Sequence, residues 1–174
     1  MLIDLRNLLS GTKEDMTVSA AIDMTVFKTA SVEYDIVSKE PIDLFIRKLG
    51  KNKIVITGEG RLVLDIPCDR CLESVKTTVD YAIDKEADMD QDAEKIEEQE
   101  EQDYIDGYNL DVDKLVFGEV LMSMPAKVLC KDDCRGLCLK CGTNLNISEC
   151  GCDRESLDPR MSVFKDILNN FKEV

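Results

Sequence analysis

Residues 53–67 read KIVITGEGRLVLDIP and hold the clearest strand pattern in the chain. The aliphatic side chains of this stretch share one parity, as a strand with one buried face requires. They are Ile54, Ile56, Leu62, Leu64 and Ile66. Gly58 and Gly60 interrupt the pattern and predict a turn or a bulge within the strand.

The β pattern extends on both sides of this stretch, across residues 1–85. Runs of β-branched residues with partial alternation lie at Met16–Phe27, Val32–Val37 and Val75–Ile83. Residues 41–49 fit a short helix or a strand equally well. We therefore expect an α+β protein whose β-rich N-terminal half is an antiparallel sheet of five or six strands, or an open barrel.

Acidic residues dominate the composition, and they are unevenly distributed. The chain has 174 residues, with 36 acidic and 22 basic side chains and a net charge of −14. Between Asp84 and Asp106 there are 12 acidic and two basic side chains, so this run alone carries −10. A strongly acidic chain is a poor default nucleic-acid binder. The remaining residues are nearly balanced, however, so the total charge does not exclude a local RNA contact.

The acidic run divides the chain into a β-rich half, residues 1–85, a loop, residues 86–106, and a C-terminal part, residues 107–174. Its composition is typical of a flexible, solvated loop. An alternative is that it forms an arm that contacts a basic partner or mimics nucleic acid.

The C-terminal part contains two predicted helices. Asp111 can cap a helix that ends before Pro125. Asp158 and Pro159 can begin a last helix, with apolar side chains at helical spacing that would dock on the sheet or, alternatively, on a partner. Those side chains are Phe164, Ile167, Leu168 and Phe171.

Several protein classes are disfavoured by what the sequence lacks. It has no histidine, so a Ser-His-Asp or Cys-His triad cannot form, and no phosphate-binding glycine motif is present. We therefore expect a protein that is not an enzyme. The N-terminus shows no secretory signal pattern, and no apolar window is long enough to span a bilayer. These patterns predict a cytoplasmic location, without membrane partners.

Eight cysteines in a chain expected to stay reduced indicate metal or redox chemistry. The last four form C-L-K-C-x8-C-G-C, in which two pairs of thiolates can hold one tetrahedral ion. These four are Cys138, Cys141, Cys150 and Cys152. We expect them to form one local zinc site.

The other four cysteines could complete a second zinc site that joins the β half to the C-terminal module. They are Cys68, Cys71, Cys130 and Cys134. Without histidine, thiolate is the only soft ligand available, and a site filled by four protein ligands favours a structural role over a catalytic one. A redox switch, an iron–sulfur cluster, disulfides and cysteines without a ligand remain alternatives.

The order of motifs from about residue 60 onward resembles the YceD-like bacterial proteins. The chain has CDRCLE at 68–73, an acidic stretch, a helix beginning near Asp111, and the pair Cys130 and Cys134. GLCLKCGTNLN at 136–146, Cys150-Gly151-Cys152 and DPR at 158–160 follow. The order of these motifs is specific, although no single motif is.

This resemblance implies one YceD-like domain that acts in the accumulation or processing of 23S ribosomal RNA, and hence in large-subunit biogenesis. It supports pairing the first four cysteines, because those positions match the more widespread part of the family pattern. The last four match a part that some members lack. The resemblance brings no catalytic residues.

Direct RNA contact is predicted at one basic cluster beside Phe45. It consists of Arg47, Lys48, Lys51 and Lys53. A solvated turn between two elements explains the same cluster, and aromatic side chains for base stacking are sparse. The expected partners are therefore ribosomal RNA, a basic ribosomal protein, or both, with no small-molecule substrate. A redox-sensitive zinc-binding chaperone is the alternative function.

Overall fold

The computed structural model describes residues 1–50, 52–89 and 103–152. Within these ranges the chain forms nine strands and two helices. The strands are β1 Leu2–Asp4, β2 Asp15–Ala20, β3 Val26–Lys28, β4 Glu33–Lys39, β5 Ile42–Lys48, β6 Lys53–Pro67, β7 Ser74–Asp88, β8 Ile105–Asp106 and β9 Asn109–Asp111. The helices are α1 Arg6–Leu9 and α2 Val112–Ser123, and neither of these two could span a bilayer.

The long strand β6 organises a six-stranded antiparallel sheet. It pairs with β7 over 15 residues without a break, from Lys53 opposite Asp88 to Pro67 opposite Ser74. Its other edge is shared, because β5 pairs with the first half of β6 and β4 pairs with the second half. β2 extends the sheet beyond β5, and β3 extends it beyond β4. The β6–β7 hairpin ends at residues 67–74, which contain the first two cysteines.

Helix α2 and a small second sheet cover the core. Strands β1, β9 and β8 form this second sheet, which holds the N-terminal residues beside the start of α2. The ring of Phe117 on α2 stacks on Phe27 of β3, with 4.6 Å between ring centroids. Lys85 of β7 pairs with Glu119 of α2 at 2.9 Å. The helix is thereby fixed against both the sheet edge and the hairpin.

The predicted α+β class is confirmed, and the strand parity in β6 is confirmed residue by residue. All five of its aliphatic side chains on one parity are buried, as are Ile42, Leu44 and Ile46 on β5. Residues 42–48 are thus a strand and not a helix. The run Met16–Phe27 forms the strand β2 and the start of the strand β3, which pair with different partners, β5 and β4.

The turn or bulge predicted at Gly58 and Gly60 is wrong, because β6 passes through both residues with continuous pairing. Glycine is needed at both positions because atoms of the neighbouring strands approach the β6 backbone closely there. A Cβ at position 58 would lie 2.9 Å from the backbone oxygen of Asp43, and one at position 60 would overlap the ring of Tyr81. The irregular register lies instead in β4, between Ile36 and Ser38.

Tyr81 covers Gly60 on the inner face of the hairpin, and its hydroxyl is buried without a hydrogen-bond partner among the described residues. Burial also raises its pKa to about 12, so the group stays neutral. Tyr81→Phe should raise the free energy of unfolding by about 1 kcal/mol, because it removes an unsatisfied buried polar group. Urea denaturation measures this change, and a clear loss of stability would show that the hydroxyl has a partner.

The predicted cap of helix α2 is confirmed. The carboxylate of Asp111 accepts hydrogen bonds from the backbone N–H groups of Asp113 and Lys114, at 3.1 and 3.4 Å. Asp113 lies in the first turn, and its carboxylate accepts from the backbone N–H groups of Asp23 and Met24 at 2.8 and 3.0 Å. Asp113 therefore joins the start of the helix to the loop between β2 and β3.

Asp113→Asn should lower the free energy of unfolding at pH 7 by about 1–3 kcal/mol, because these hydrogen bonds end on a charged group. Partial burial raises the pKa of Asp113, but the hydrogen bonds from the Met1 amine, Met24 and Asp23 outweigh it and lower that pKa. A lowered folded-state pKa contributes stability above the ordinary pKa and loses it as the pH falls through the folded value. The difference between the two proteins should therefore shrink in acid, as urea titrations from pH 7 to pH 2 would measure. A difference independent of pH would contradict the assignment.

Strands occupy both ends of the predicted acidic loop of residues 86–106, so the loop is shorter than predicted. β7 continues through Asp88, and Ile105–Asp106 belong to β8. Residues 90–102 lie outside the described ranges, and so do Lys51 and the predicted last helix with Asp158, Pro159 and Arg160. What was predicted for those residues stays a prediction.

Candidate metal centre

The first four cysteines meet where the β6–β7 hairpin touches the cysteine module, residues 126–152. We call Cys68, Cys71, Cys130 and Cys134 the inner site. Their Sγ atoms all lie within 4.8 Å of one another. The Sγ atoms of Cys68 and Cys134 are 3.8 Å apart, and those of Cys71 and Cys130 are 3.5 Å apart. The chain thus brings together two pairs of thiols that are about 60 residues apart in sequence.

These spacings fit a tetrahedral ion. A zinc–sulfur bond of about 2.3 Å places the corners of a tetrahedron roughly 3.8 Å apart. Three of the four side chains are at most 4% exposed, and only Cys130 is half-buried. A donor set of four thiolates, without water or oxygen ligands, suits zinc or iron and fills every position of a four-coordinate ion.

A tight backbone turn presents the first two sulfurs of the inner site. In this first knuckle, residues 68–73, the N–H of Cys68 donates to the carbonyl of Glu73 at 2.8 Å. The N–H of Leu72 donates to the carbonyl of Cys68 at 2.9 Å. Burial raises the pKa of Cys68, but the backbone N–H groups of Arg70 and Cys130 are the next largest influences, and the balance lowers it to about 6. The turn therefore favours the thiolate that a metal requires.

Asp69 and Arg70, between the two cysteines of the first knuckle, attach the module to the hairpin. Asp69 exchanges hydrogen bonds with Val128: its N–H donates to the Val128 carbonyl at 2.9 Å, and its carboxylate accepts from the Val128 N–H at 2.7 Å. The guanidinium of Arg70 donates to the Cys134 carbonyl at 2.7 Å. The carbonyl of Arg70 accepts from the N–H of Leu137 at 3.0 Å. These contacts hold the second pair of inner-site cysteines opposite the first.

The last four cysteines form a second cluster, the outer site, as predicted from their spacing. The Sγ atoms of Cys138, Cys141, Cys150 and Cys152 also lie within 4.8 Å of one another. Cys141 is exposed and Cys138 is buried, while the other two are half-buried. The outer site is therefore more open to solvent than the inner site.

Hydrogen bonds also lower the pKa of one thiol in the outer site. The Thr143 hydroxyl lies 3.2 Å from the sulfur of Cys141, and this hydroxyl together with the Thr143 backbone N–H lowers the pKa of Cys141 to about 6. The neighbouring Cys141 and burial raise the pKa of Cys152 to about 12. One thiol of such a pair ionises easily and keeps its neighbour protonated. Filling the site with a metal would therefore release protons, and metal affinity would rise with pH.

The basic cluster predicted to contact RNA is only partly available for it. Lys48 donates to the Leu9 carbonyl at 2.5 Å, and Lys53 pairs with Asp88 at 3.6 Å. Arg47 is exposed on the outer face of β5, directly opposite Asp15 of β2. Lys51 lies outside the described residues. RNA contact at this cluster stays a prediction.

Sequence reasoning missed the residues that position the cysteines. Asn146 donates from its amide to the sulfur of Cys134 at 3.3 Å, and Asn144 donates to the carboxylate of Glu73 at 2.9 Å. With Asp69 and Arg70, they link the first knuckle to the module. The only signal for them in the sequence was the presence of polar residues between and after the cysteine pairs. That signal does not show which residues they contact.

Comparison with known proteins places these sites in a family. The family model described as "Large ribosomal RNA subunit accumulation protein YceD" matches residues 56–168, a range that includes all eight cysteines. No solved structure was found to match the chain.

Three relatives illustrate the range of similarity. An uncharacterised protein of Mycobacterium tuberculosis (strain ATCC 25618 / H37Rv) is 27% identical over 128 residues, which cover 73% of this chain and 61% of the relative. One of Mycobacterium leprae (strain TN) is 27% identical over 154 residues, or 85% of this chain and 70% of the relative. The chain thus spans less than two thirds of the length of the M. tuberculosis protein.

The third relative is a plant protein with a shorter match. It is named "Large ribosomal RNA subunit accumulation protein YCED homolog 1, chloroplastic", from Arabidopsis thaliana, and is 39% identical over 49 residues. These residues cover 28% of this chain and 15% of the relative. The family model itself covers well over half of the chain and agrees with the order of motifs in the sequence. The chain belongs to the YceD family.

Proposed function

We propose that this protein is a non-catalytic factor that supports accumulation or processing of 23S ribosomal RNA, and thereby biogenesis of the large ribosomal subunit. The observation that carries the proposal is the family match across residues 56–168. The name of the Arabidopsis relative agrees with it. The protein would act in the cytoplasm by binding ribosomal RNA, a basic ribosomal protein, or both.

Zinc is the metal we propose for both sites, in a structural role. Four thiolates would fill the coordination of each ion, whereas a catalytic zinc keeps a position open for water or substrate. Bound at the inner site, zinc would hold the β6–β7 hairpin against the cysteine module. The proposal of a non-enzymatic role therefore depends on the closed donor sets, and not on the absence of a substrate.

Depletion of the protein tests the proposed function. Cells that lose it should show a lower ratio of 23S to 16S ribosomal RNA and a deficit of large subunits on sucrose gradients. Wild-type protein should restore both, and a variant with Cys68 and Cys134 replaced should not. A normal 23S level and normal gradients after depletion would contradict the proposal.

The exposure of the outer site supports one alternative, a redox-sensitive zinc-binding chaperone. Cys141 is exposed and its pKa is lowered, which are the properties of an oxidisable thiol. In that function, mild peroxide would oxidise pairs of outer-site thiolates to disulfides, reducing peroxide to water and releasing zinc. A zinc-sensitive dye measures the release, and an aggregation assay with unfolded citrate synthase measures holdase activity. Zinc release accompanied by holdase activity would favour the chaperone, while holdase activity that stays absent after oxidation would exclude it.

A further inference from the structure

The two knuckles have the same backbone hydrogen bonds but differ at one position. In the second knuckle, residues 138–143, the N–H of Gly142 donates to the carbonyl of Cys138 at 2.8 Å. The N–H of Cys138 donates to the Thr143 carbonyl at 2.9 Å. Leu72 occupies in the first knuckle the place that Gly142 occupies in the second, directly after the second cysteine.

Leucine is unfavourable at this position in two respects. The turn requires a left-handed backbone, with φ of 73° at Gly142 and 62° at Leu72. Glycine adopts this conformation freely, whereas a residue with a Cβ is strained there. The side chain of Leu72 is also 66% exposed, so its burial does not offset the strain. Among the described residues outside glycine, Leu72 alone has a positive φ.

Other exposed aliphatic side chains lie in the same part of the molecule. Ile147 is 77% exposed and Leu139, within the second knuckle, is fully exposed. The N–H of Ile147 donates to the carbonyl of Asn144, whose side chain donates to Glu73, the residue after Leu72. Leu72 and Ile147 therefore lie on the two sides of the hydrogen bond between Glu73 and Asn144, which joins the first knuckle to the module. We call Leu72, Leu139 and Ile147 the knuckle surface.

The chemistry around the knuckle surface suits a protein better than RNA. Residues 68–73 and 126–152 together contain no aromatic side chain, and their five basic side chains are matched by five acidic ones. Eight thiolates with two divalent ions would then leave an excess of about four negative charges. RNA recognition relies on stacking aromatics and on an excess of cations, and these residues offer neither. Aliphatic side chains with a negative surround complement an apolar pocket that has a basic rim.

We propose that the knuckle surface is a docking site for a basic protein of the large ribosomal subunit, with Leu72 as the anchor in an apolar pocket of that protein. This inference deepens the proposed function and rests on it. It assigns the strained leucine to binding, because the fold itself would be served equally well by glycine. The partner at this surface is thus a protein and not RNA.

The test uses the full-length zinc-loaded chain, immobilised, and proteins extracted from purified large ribosomal subunits and freed of RNA. Wild type should retain a ribosomal protein. Leu72→Gly and Leu72→Asn, both compatible with a left-handed backbone, should reduce the retained amount about tenfold, as expected for loss of an interface anchor. Leu72→Met should retain it within about twofold. Met122→Ala, which removes an exposed apolar side chain on α2, is the matched control and should change nothing.

Measuring the stability of the Leu72 variants separates an effect on binding from an effect on folding. Leu72→Gly should unfold at the same or a higher urea concentration than wild type, because it relieves strain. Equal retention by wild type, Leu72→Gly and Leu72→Asn would overturn the inference, as would retention of no ribosomal protein by wild type. Loss of binding to a 23S transcript, or of self-association in sedimentation, in place of protein binding would also overturn it. The proposed function fails separately, through a normal 23S level after depletion.

Discussion

Replacing Cys134 with serine should remove the metal from the inner site and release the cysteine module from the hairpin. The side chain is 2% exposed and lies 3.8 Å, sulfur to sulfur, from Cys68. Structural zinc contributes roughly 10 kcal/mol or more to the folding of small zinc-dependent domains. The described part of the module has no helix or strand, and the buried cluster beside it consists of inner-site cysteines, so its attachment depends on these cysteines together with the hydrogen bonds of Asp69 and Arg70. We expect loss of one zinc ion per chain and loss of ordered structure in residues 126–137, while the outer site keeps its ion.

Limited proteolysis and metal analysis measure these two effects together. Cleavage should appear within residues 126–137 of the Cys134→Ser protein, while the sheet stays resistant. Cys152→Ser is the matched control, because it removes one ligand from the outer site only. That control should also lose one zinc ion, but the contacts of Asp69 and Arg70 with the module should persist. A Cys134→Ser protein that keeps two zinc ions and wild-type resistance would show that the inner cluster is not a metal site.

Gly60→Ala should destabilise the sheet by about 3 kcal/mol or more. The added methyl group would overlap the hydroxyl, Cζ and Cε2 atoms of Tyr81, which is itself 4% exposed and directly opposite on β7. Overpacking inside a well-packed core costs typically 1–3 kcal/mol, and here the ring has to leave its position entirely. The loss should appear in urea denaturation as a lower midpoint.

Gly118→Ala is the matched control, since among the described residues no atom apart from the adjoining helix backbone lies within 4 Å of a Cβ added at this glycine. It should be neutral or stabilise the protein by up to about 1 kcal/mol. Adding Tyr81→Ala to the Gly60→Ala protein should cost less than Tyr81→Ala costs in wild type, because removing the ring also removes its overlap with the new methyl group. Strict additivity of the two substitutions, or an unchanged midpoint for Gly60→Ala, would contradict the proposed contact.

Local sequence patterns predicted the elements that are governed by local physics. The parity of β6 is a direct consequence of alternating side chains, and the cap at Asp111 needs only the first turn of α2. The outer site followed from spacing, because all its cysteines lie within 15 residues. The pairing of the distant halves of the inner site remained one option among several, since a 60-residue separation determines no geometry by itself.

What the sequence did not reveal depends on contacts between distant segments. The glycines of β6 were misread because their partners, Asp43 and Tyr81, lie on neighbouring strands. The short strands β1, β8 and β9 have two or three residues each, which is too few for a periodic pattern. The roles of Asp69 and Arg70 depend on the 128–137 segment, and nothing local to CDRC identifies it.

The metal content of the intact wild-type protein, purified without added metal, is the most direct test of the two proposed zinc sites, and native mass spectrometry with elemental analysis measures it. Two four-thiolate zinc sites should give two zinc ions per chain and the loss of eight thiol protons. One zinc ion should remain when all four inner-site or all four outer-site cysteines are replaced. Zinc at one ion per chain or none, or iron together with inorganic sulfide, would contradict the two four-thiolate sites.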